Sequence, residues 1–142
     1  MQINGWLYFV GPFADLSGAD LSAADITRAD LTCANLSDTN LIFANLSDTN
    51  LISANLSDAD LTDANLSGSD LSGADLSGAK LTCADLSGAD LSGAKLSYAY
   101  LYYADLTDAD LTGADLSRAK YNDRAIWPVG YVPDFSKMRK SS

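Results

Sequence analysis

The sequence predicts an all-β fold, a right-handed β-solenoid of square cross-section, and three observations lead there. Residues 14–123 form an uninterrupted run of five-residue units; 110 residues in steps of five make 22 units. Each unit has an apolar centre, Leu at every fifth position from Leu16 to Leu116 except Ile26, with Tyr121 closing the series. Two residues before each centre stands Ala, replaced only by Thr39, Thr49 and Ser69.

A period of five suits neither a helix nor a long flat strand. On an α-helix, residues five apart drift around the axis and make no apolar stripe. Ser, Thr, Asp, Asn and Gly, which fill the other positions, also rank low in helix propensity. On a strand the side chains alternate, so successive Leu residues would point to opposite faces. The pattern works if each unit is a short extended piece followed by a corner. Ala and Leu, two apart, then point inward, and the Asp or Asn between them points outward. The next two residues, such as Ser-Gly or Thr-Asp, are turn formers. Four corners close one coil of 20 residues, so 22 units make 5.5 coils. Stacked at the usual strand separation of about 4.8 Å, they form a rod about 26 Å long. Its interior is a Leu column flanked by Ala, with room for nothing larger than Ala at the flanking position.

Units such as ADLSG, ADLTC and ANLSD fit the pattern A(D/N)LXX, and on these residues the chain resembles the pentapeptide-repeat proteins. The resemblance covers 110 of 142 residues. It implies a right-handed quadrilateral parallel β-helix, in agreement with the geometric reading, here about 5.5 coils capped at both ends. It implies no enzymatic activity. A minority of that family are quinolone-resistance proteins that bind DNA gyrase and are similar to duplex DNA in shape and charge. Those relatives often have Phe centres and some carry loops, whereas this repeat has Leu centres and no loop.

Three segments follow: an N-terminal cap at 1–13, the solenoid at 14–123, and a C-terminal cap and tail at 124–142. In the first, Trp6 to Val10 suit a β-strand and Gly11-Pro12 a turn. An unended solenoid exposes its apolar column and open strand edges, so Trp6, Tyr8 and Phe9 are candidates to cover the first coil, or to meet a partner. At the other end the repeat stops at RAIWPVGYVPDFSKMRKSS. Trp127, Tyr131 and Phe135 are candidates to close the last coil or to build a homodimer, as the C-terminal end does in the gyrase-binding relatives.

The charge is −10 overall and unevenly placed. Residues 14–123 hold 18 of the 19 Asp against Arg28, Lys80, Lys95, Arg118 and Lys120, a net −13. The tail holds Arg124, Lys137, Arg139 and Lys140 against Asp134, a net +3. A net acidic surface argues against direct nucleic-acid binding, which draws on cationic groups that displace counterions. Cys33 and Cys83 lie 50 residues apart, 2.5 coils, on opposite faces. Cα atoms must come within about 7 Å for a disulfide, so two free thiols are expected, and with them a cytoplasmic setting. The longest apolar run, Trp6 to Val10, is far short of the roughly 20 residues that span a bilayer, so no membrane insertion is expected.

Two interruptions of the polar exterior stand out. Ile42 and Phe43 occupy corner positions, as isolated exposed apolar residues or as a contact patch. Tyr98, Tyr100, Tyr102 and Tyr103 surround Leu101 on the outside, as an interface or as aromatic stacking along the rod. The face headed by Leu21, Leu41, Leu61, Leu81 and Leu101 is the least polar. The chain has no His, no nucleophile–base pattern and no phosphate loop, and its Asp pairs all fall on repeat register. No cofactor or metal is expected. The reading is a non-enzymatic interaction scaffold with an unidentified protein partner; the alternative is an acidic DNA mimic that binds gyrase or a related topoisomerase.

Overall fold

The computed structural model describes residues 1–141; the side chains of Ile3, Trp6 and Leu7 are not among those described. The chain is a right-handed parallel β-helix, and its described residues include no helix. Each extended piece is so short that most coil-to-coil pairing is a single bridge. These bridges join residues 20 apart on four sides, as in Asp15↔Asn35, Asp20↔Asn40, Asp25↔Asn45 and Asp30↔Asn50.

A middle unit illustrates the backbone accounting. The amide of Leu71 donates to Asp90 O (2.7 Å), that of Gly73 to Ser92 O (2.9 Å), and that of Asp90 to Ser69 O (2.9 Å). The fourth bond closes the corner, from the Ala74 amide to Leu71 O at 2.9 Å. The second corner residue therefore sits at the third position of a four-residue turn, with positive φ whether it is Gly73 (64°), Ala23 (54°), Asp58 (57°) or Phe43 (59°). Positive φ at that position is the signature of a type II turn, and it explains why Gly is frequent there. Non-Gly residues at these corners hold a conformation that costs L-residues roughly 1–2 kcal/mol each. The stacked coils hold them there.

Asp and Asn complete the corner from outside. The Asp15 carboxylate accepts from the Ser17 amide (3.2 Å) and the Ser17 hydroxyl (2.8 Å), and Asn35 does the same for Ser37. A carboxylate one carbon longer would overshoot these local bonds, a physical reason for the chain's use of Asp and not Glu. The Ser97 hydroxyl instead bonds Ser77 in the preceding coil, at 3.3 Å.

The centres are buried from Leu16 to Leu116. Burial of each Leu contributes about 1.5–3 kcal/mol, and in a rod this is repeated coil by coil. The expectation that nothing larger than Ala fits beside the column needs correcting. Thr39 and Thr49 are fully buried there. Their hydroxyls donate to Leu16 O (2.9 Å) and Ile26 O (3.2 Å) in the preceding coil. A branched side chain fits because its polar arm finds a carbonyl. Among the described residues no buried side-chain polar atom lacks a partner.

The N-terminal segment also differs from expectation. In place of one strand from Trp6 to Val10 there is a two-residue hairpin, β1 (Gln2–Ile3) against β2 (Trp6–Leu7). Asn4 (φ 51°) and Gly5 (φ 84°) make the turn; Asn-Gly is the dipeptide that best tolerates two positive φ angles in succession. Coil geometry is already established at the Gly11–Ala14 turn, with the Phe13 amide donating to Thr32 O at 2.9 Å.

At the C-terminal end the ladder thickens into a three-stranded parallel sheet: β3 (Tyr100–Leu101), β4 (Lys120–Tyr121) and β5 (Arg139–Lys140). Its spacing shifts. Tyr100 pairs with Lys120, 20 residues on; Asp105 pairs with Ile126, 21 on; Lys120 pairs with Arg139, 19 on. The extra residue lies at Asn122–Arg124, where the turn closes from the Ala125 amide to Asn122 O at 3.1 Å.

Candidate interaction surfaces

The tyrosine cluster lies across one side of the coil centred on Leu101. Tyr98 (51% exposed) and Tyr103 (54%) stand at its two corners, and Tyr100 and Tyr102 between them are half-buried. The rings of Tyr100 and Tyr102 meet edge to face at 6.2 Å. Residues 20 further on stack directly above. The Lys120 ammonium lies 4.0 Å from the Tyr100 ring centre, and the Arg118 guanidinium 5.6 Å from that of Tyr98. Such contacts contribute about 0.5–1 kcal/mol each at exposed sites. The Tyr102 hydroxyl reaches the Ser141 hydroxyl at 3.1 Å. Three of the four tyrosines thus seat later residues of the chain, and Tyr103 projects outward. Sequence register placed the cluster outside. It did not show that Ser141, 39 residues away, returns to it.

Ile42 and Phe43 share this side with Tyr102 and Tyr103 but lie 60 residues earlier, three coils down the rod, or about 14 Å at the usual strand separation. Ile42 is half-buried and Phe43 is 66% exposed. Asp63 and Cys83 stand between Phe43 and Tyr103 on the same corner row. The structure therefore does not merge the two sets into one continuous apolar patch. Both cysteines are free and exposed.

The caps are unequal. Tyr8 and Val10 pack against the first coil, whereas Phe9 is 73% exposed and covers little; the Trp6 side chain lies outside the described residues. At the other end Tyr121, Trp127, Tyr131 and Phe135 form one aromatic cluster. Tyr121 meets Phe135 at 5.0 Å and Trp127 at 6.2 Å, and Trp127 stacks on Tyr131 at 6.1 Å. Met138, overlooked in the sequence, is buried at a flanking position that Ala holds elsewhere. Only the pairing of Arg139 with Lys120, which sets Met138 opposite Ala119, reveals that role. An exposed ion pair joins Lys140 of the tail to Asp123 at the end of the repeat (2.6 Å), and Lys137 pairs with Asp134 within the tail (3.0 Å). Beyond this cluster Val129 and Val132 are almost fully exposed and Phe135 partly so.

The acidic exterior is organised by the turns. Hydrogen bonds from the Ser17, Thr27 and Thr32 hydroxyls, and then from their amides, hold the carboxyls of Asp15, Asp25 and Asp30 below their ordinary range. For Asp60 burial works the other way, but the Thr62 hydroxyl and the Lys80 ammonium outweigh it and the net shift is downward. Lys80–Asp60 (2.9 Å) and Lys95–Asp75 (3.2 Å) are ladder pairs between neighbouring coils. Among the described residues no three His, Cys, Asp or Glu side chains are placed to hold a metal ion. No helix among them is long and apolar enough to cross a membrane.

Comparison with known proteins places this geometry. No curated protein matches the chain by sequence. Among solved structures, the chain is similar to the pentapeptide-repeat protein Rfr23 from the cyanobacterium Cyanothece 51142, with 28% identity, 80% of this chain and 90% of that one covered, and a TM-score of 0.48. It is similar to HetL, a pentapeptide-repeat protein involved in heterocyst differentiation regulation in the cyanobacterium Nostoc sp. strain PCC 7120. There the identity is 34%, coverage 86% of this chain and 65% of that one, and the TM-score 0.47. Full-length QnrB1, a plasmid-mediated fluoroquinolone resistance protein, shares the fold at 19% identity, with 87% and 73% coverage and a TM-score of 0.50. The family model for pentapeptide repeats matches at residues 13–41, 29–68, 59–97 and 89–120. With most of its length matched in this way, the chain belongs to the pentapeptide-repeat family.

Proposed function

We propose that this protein is a non-enzymatic scaffold that binds a protein partner through the side of the rod headed by Leu41 and Leu101. The observation that carries this reading is the pair of large side chains held outward at strained corners, Phe43 (66% exposed, φ 59°) and Tyr103 (54% exposed, φ 60°). The fold needs neither: Gly or Ala serves that corner elsewhere. A filled Leu interior supports binding on the outer surface over chemistry in a pocket. The test is affinity capture from the source organism with parent and with a Phe43→Ala/Tyr103→Ala variant of matched thermal stability. Equal recovery of every bound protein by the variant would sink the assignment of this side. The two free thiols fit a cytoplasmic setting, and the acidic exterior fits a partner other than nucleic acid itself.

A second reading, the DNA mimic, is favoured by one number. A net −13 on residues 14–123 spread over a rod of about 26 Å is one charge per about 2 Å, near the one per about 1.7 Å of duplex DNA. QnrB1, which shares the fold, is a fluoroquinolone resistance protein. The reading includes a homodimer joined through the C-terminal ends by Trp127, Tyr131 and Phe135 with the exposed Val129 and Val132. It predicts inhibition of gyrase supercoiling that weakens as salt rises. Absence of inhibition at micromolar protein and low salt would exclude it.

A further inference from the structure

We propose that opposite sides of this rod bind one another between copies of the chain, so that rods associate side by side in an open-ended row. Four corners per coil place the side of Leu21–Tyr121 directly opposite that of Leu31–Leu111. In the C-terminal half these two sides have opposite character. On the first, the outward row runs Lys80, Tyr100, Lys120 and Arg139, joined by the bridges Lys80↔Tyr100, Tyr100↔Lys120 and Lys120↔Arg139, with Arg118 at the corner. On the second, the row runs Asp70, Asp90 and Asp110, bridged in turn. Gly73, Gly93 and Gly113 flank it on one corner, and Gly68, Gly88 and Asp108 on the other.

The acidic row alone would be turn chemistry. Asp70 and Asp90 hold the Ser72 and Ser92 amides at 3.0 and 2.8 Å, like their counterparts elsewhere. The second copy is indicated by how the two sides complement each other. The glycines leave the acidic side flat, with open space where a Cβ would project at Gly88 and Gly93, so a neighbouring backbone can approach closely. The opposite side offers Lys120 and Arg139 one coil apart, at the same repeat of about 4.8 Å, and Lys80, itself paired with Asp60, two coils below Lys120. Two cations of this side, Lys120 and Arg118, are held over tyrosine rings and so lose little freedom on docking. Because the two surfaces are opposite one another on one rod, each copy uses both and the contact does not close on itself. A heterologous contact of that kind makes an extended row and not a symmetric dimer.

The test is light scattering during size-exclusion chromatography of the full chain, over a concentration series at low and high salt. The basic side is reversed in Arg118→Glu/Lys120→Glu/Arg139→Glu. The acidic side is reversed in Asp90→Lys/Asp108→Lys/Asp110→Lys. The repeat already tolerates cations at both positions of a unit, with Lys80 and Lys95 before a centre and Arg28 at the second corner residue. Melting curves confirm that each variant is folded. The parent is expected to grow in mass with concentration at low salt and to return to monomer at high salt. Each variant alone is expected to stay monomeric, and an equimolar mixture of the two to assemble again, since every contact in the mixture pairs opposite charges. A parent that is monomeric throughout overturns the proposal. So does assembly that stops at a dimer, or a mixture that fails to assemble. A dimer that survives both charge reversals and is lost in Val129→Asp assigns self-association to the rod's end and likewise overturns it.

Discussion

The middle of the rod, from Ala64 to Gly93, and its end, from Tyr98 to Ser141, solve different problems. In the middle each outward residue pairs 20 positions away, as Asp70 does with Asp90. At the end the spacing becomes 21 at Asp105↔Ile126 and 19 at Lys120↔Arg139. A uniform coil has no internal reason to stop, because each layer presents the same Leu, Ala and unpaired backbone as the last. Ending it takes a break in register and side chains large enough to cover the column. Continuing the five-residue count would make Ile126 the next centre. The extra residue at Asn122–Arg124 puts Ile126 outside, 51% exposed, and turns Trp127 toward the core. On an extended chain a shift of one exchanges the faces, and here it exchanges an aliphatic side chain for a ring able to span the column's end.

The largest effect expected is in the middle. Leu71→Lys places a charge where the side chain is fully buried, with no partner, at a cost of several kcal/mol. Loss of the β circular dichroism signal at 25 °C is the expected result, and a melting curve matching the parent would mean that the centres do not face inward. At the end the same kind of damage is local. Trp127→Ala removes a half-buried ring that touches three other aromatics. We expect about 2 kcal/mol, less than the roughly 3–5 for a fully buried aromatic. Faster hydrogen exchange at Arg139 and Ser141, with Leu71 unchanged, would separate cap from rod; equal acceleration at both would show that the rod depends on its cap.

Acid sharpens the comparison from the outside. The folded carboxyls of Asp15, Asp25 and Asp30 lie below their ordinary value of 3.8. Their turn bonds therefore stabilise the fold fully above that value, and the contribution is lost as pH falls through the lowered folded values. A lower Tm at about pH 2 than at pH 7, in matched salt, is the expected outcome, and an unchanged Tm would show that these bonds contribute little. The smallest effect concerns a single corner. Gly88→Ala keeps φ at +65° with no steric neighbour, so only the left-handed conformation is penalised, at about 1 kcal/mol. Ala23 already holds such a corner at 54°, so the variant should fold. A loss several times larger would point to a close approach at that corner in the assembled state.

The sequence by itself determined the coil. The Leu and Ala spacing dictates which side chains face in, and the Asp or Asn before each centre dictates how the corner is held, because both are local facts repeated every five residues. It also placed the four tyrosines outside. It did not determine the ends. The hairpin at Asn4-Gly5 was signalled by its dipeptide, but the tail carries no period to read. Only the tertiary structure decided that Trp127 and not Ile126 closes the column, that Met138 fills an Ala position, and that Ser141 returns to Tyr102. The reason is physical: within the repeat each residue's neighbours are fixed by counting, whereas past Asp123 they are fixed by which large side chains best cover an apolar end.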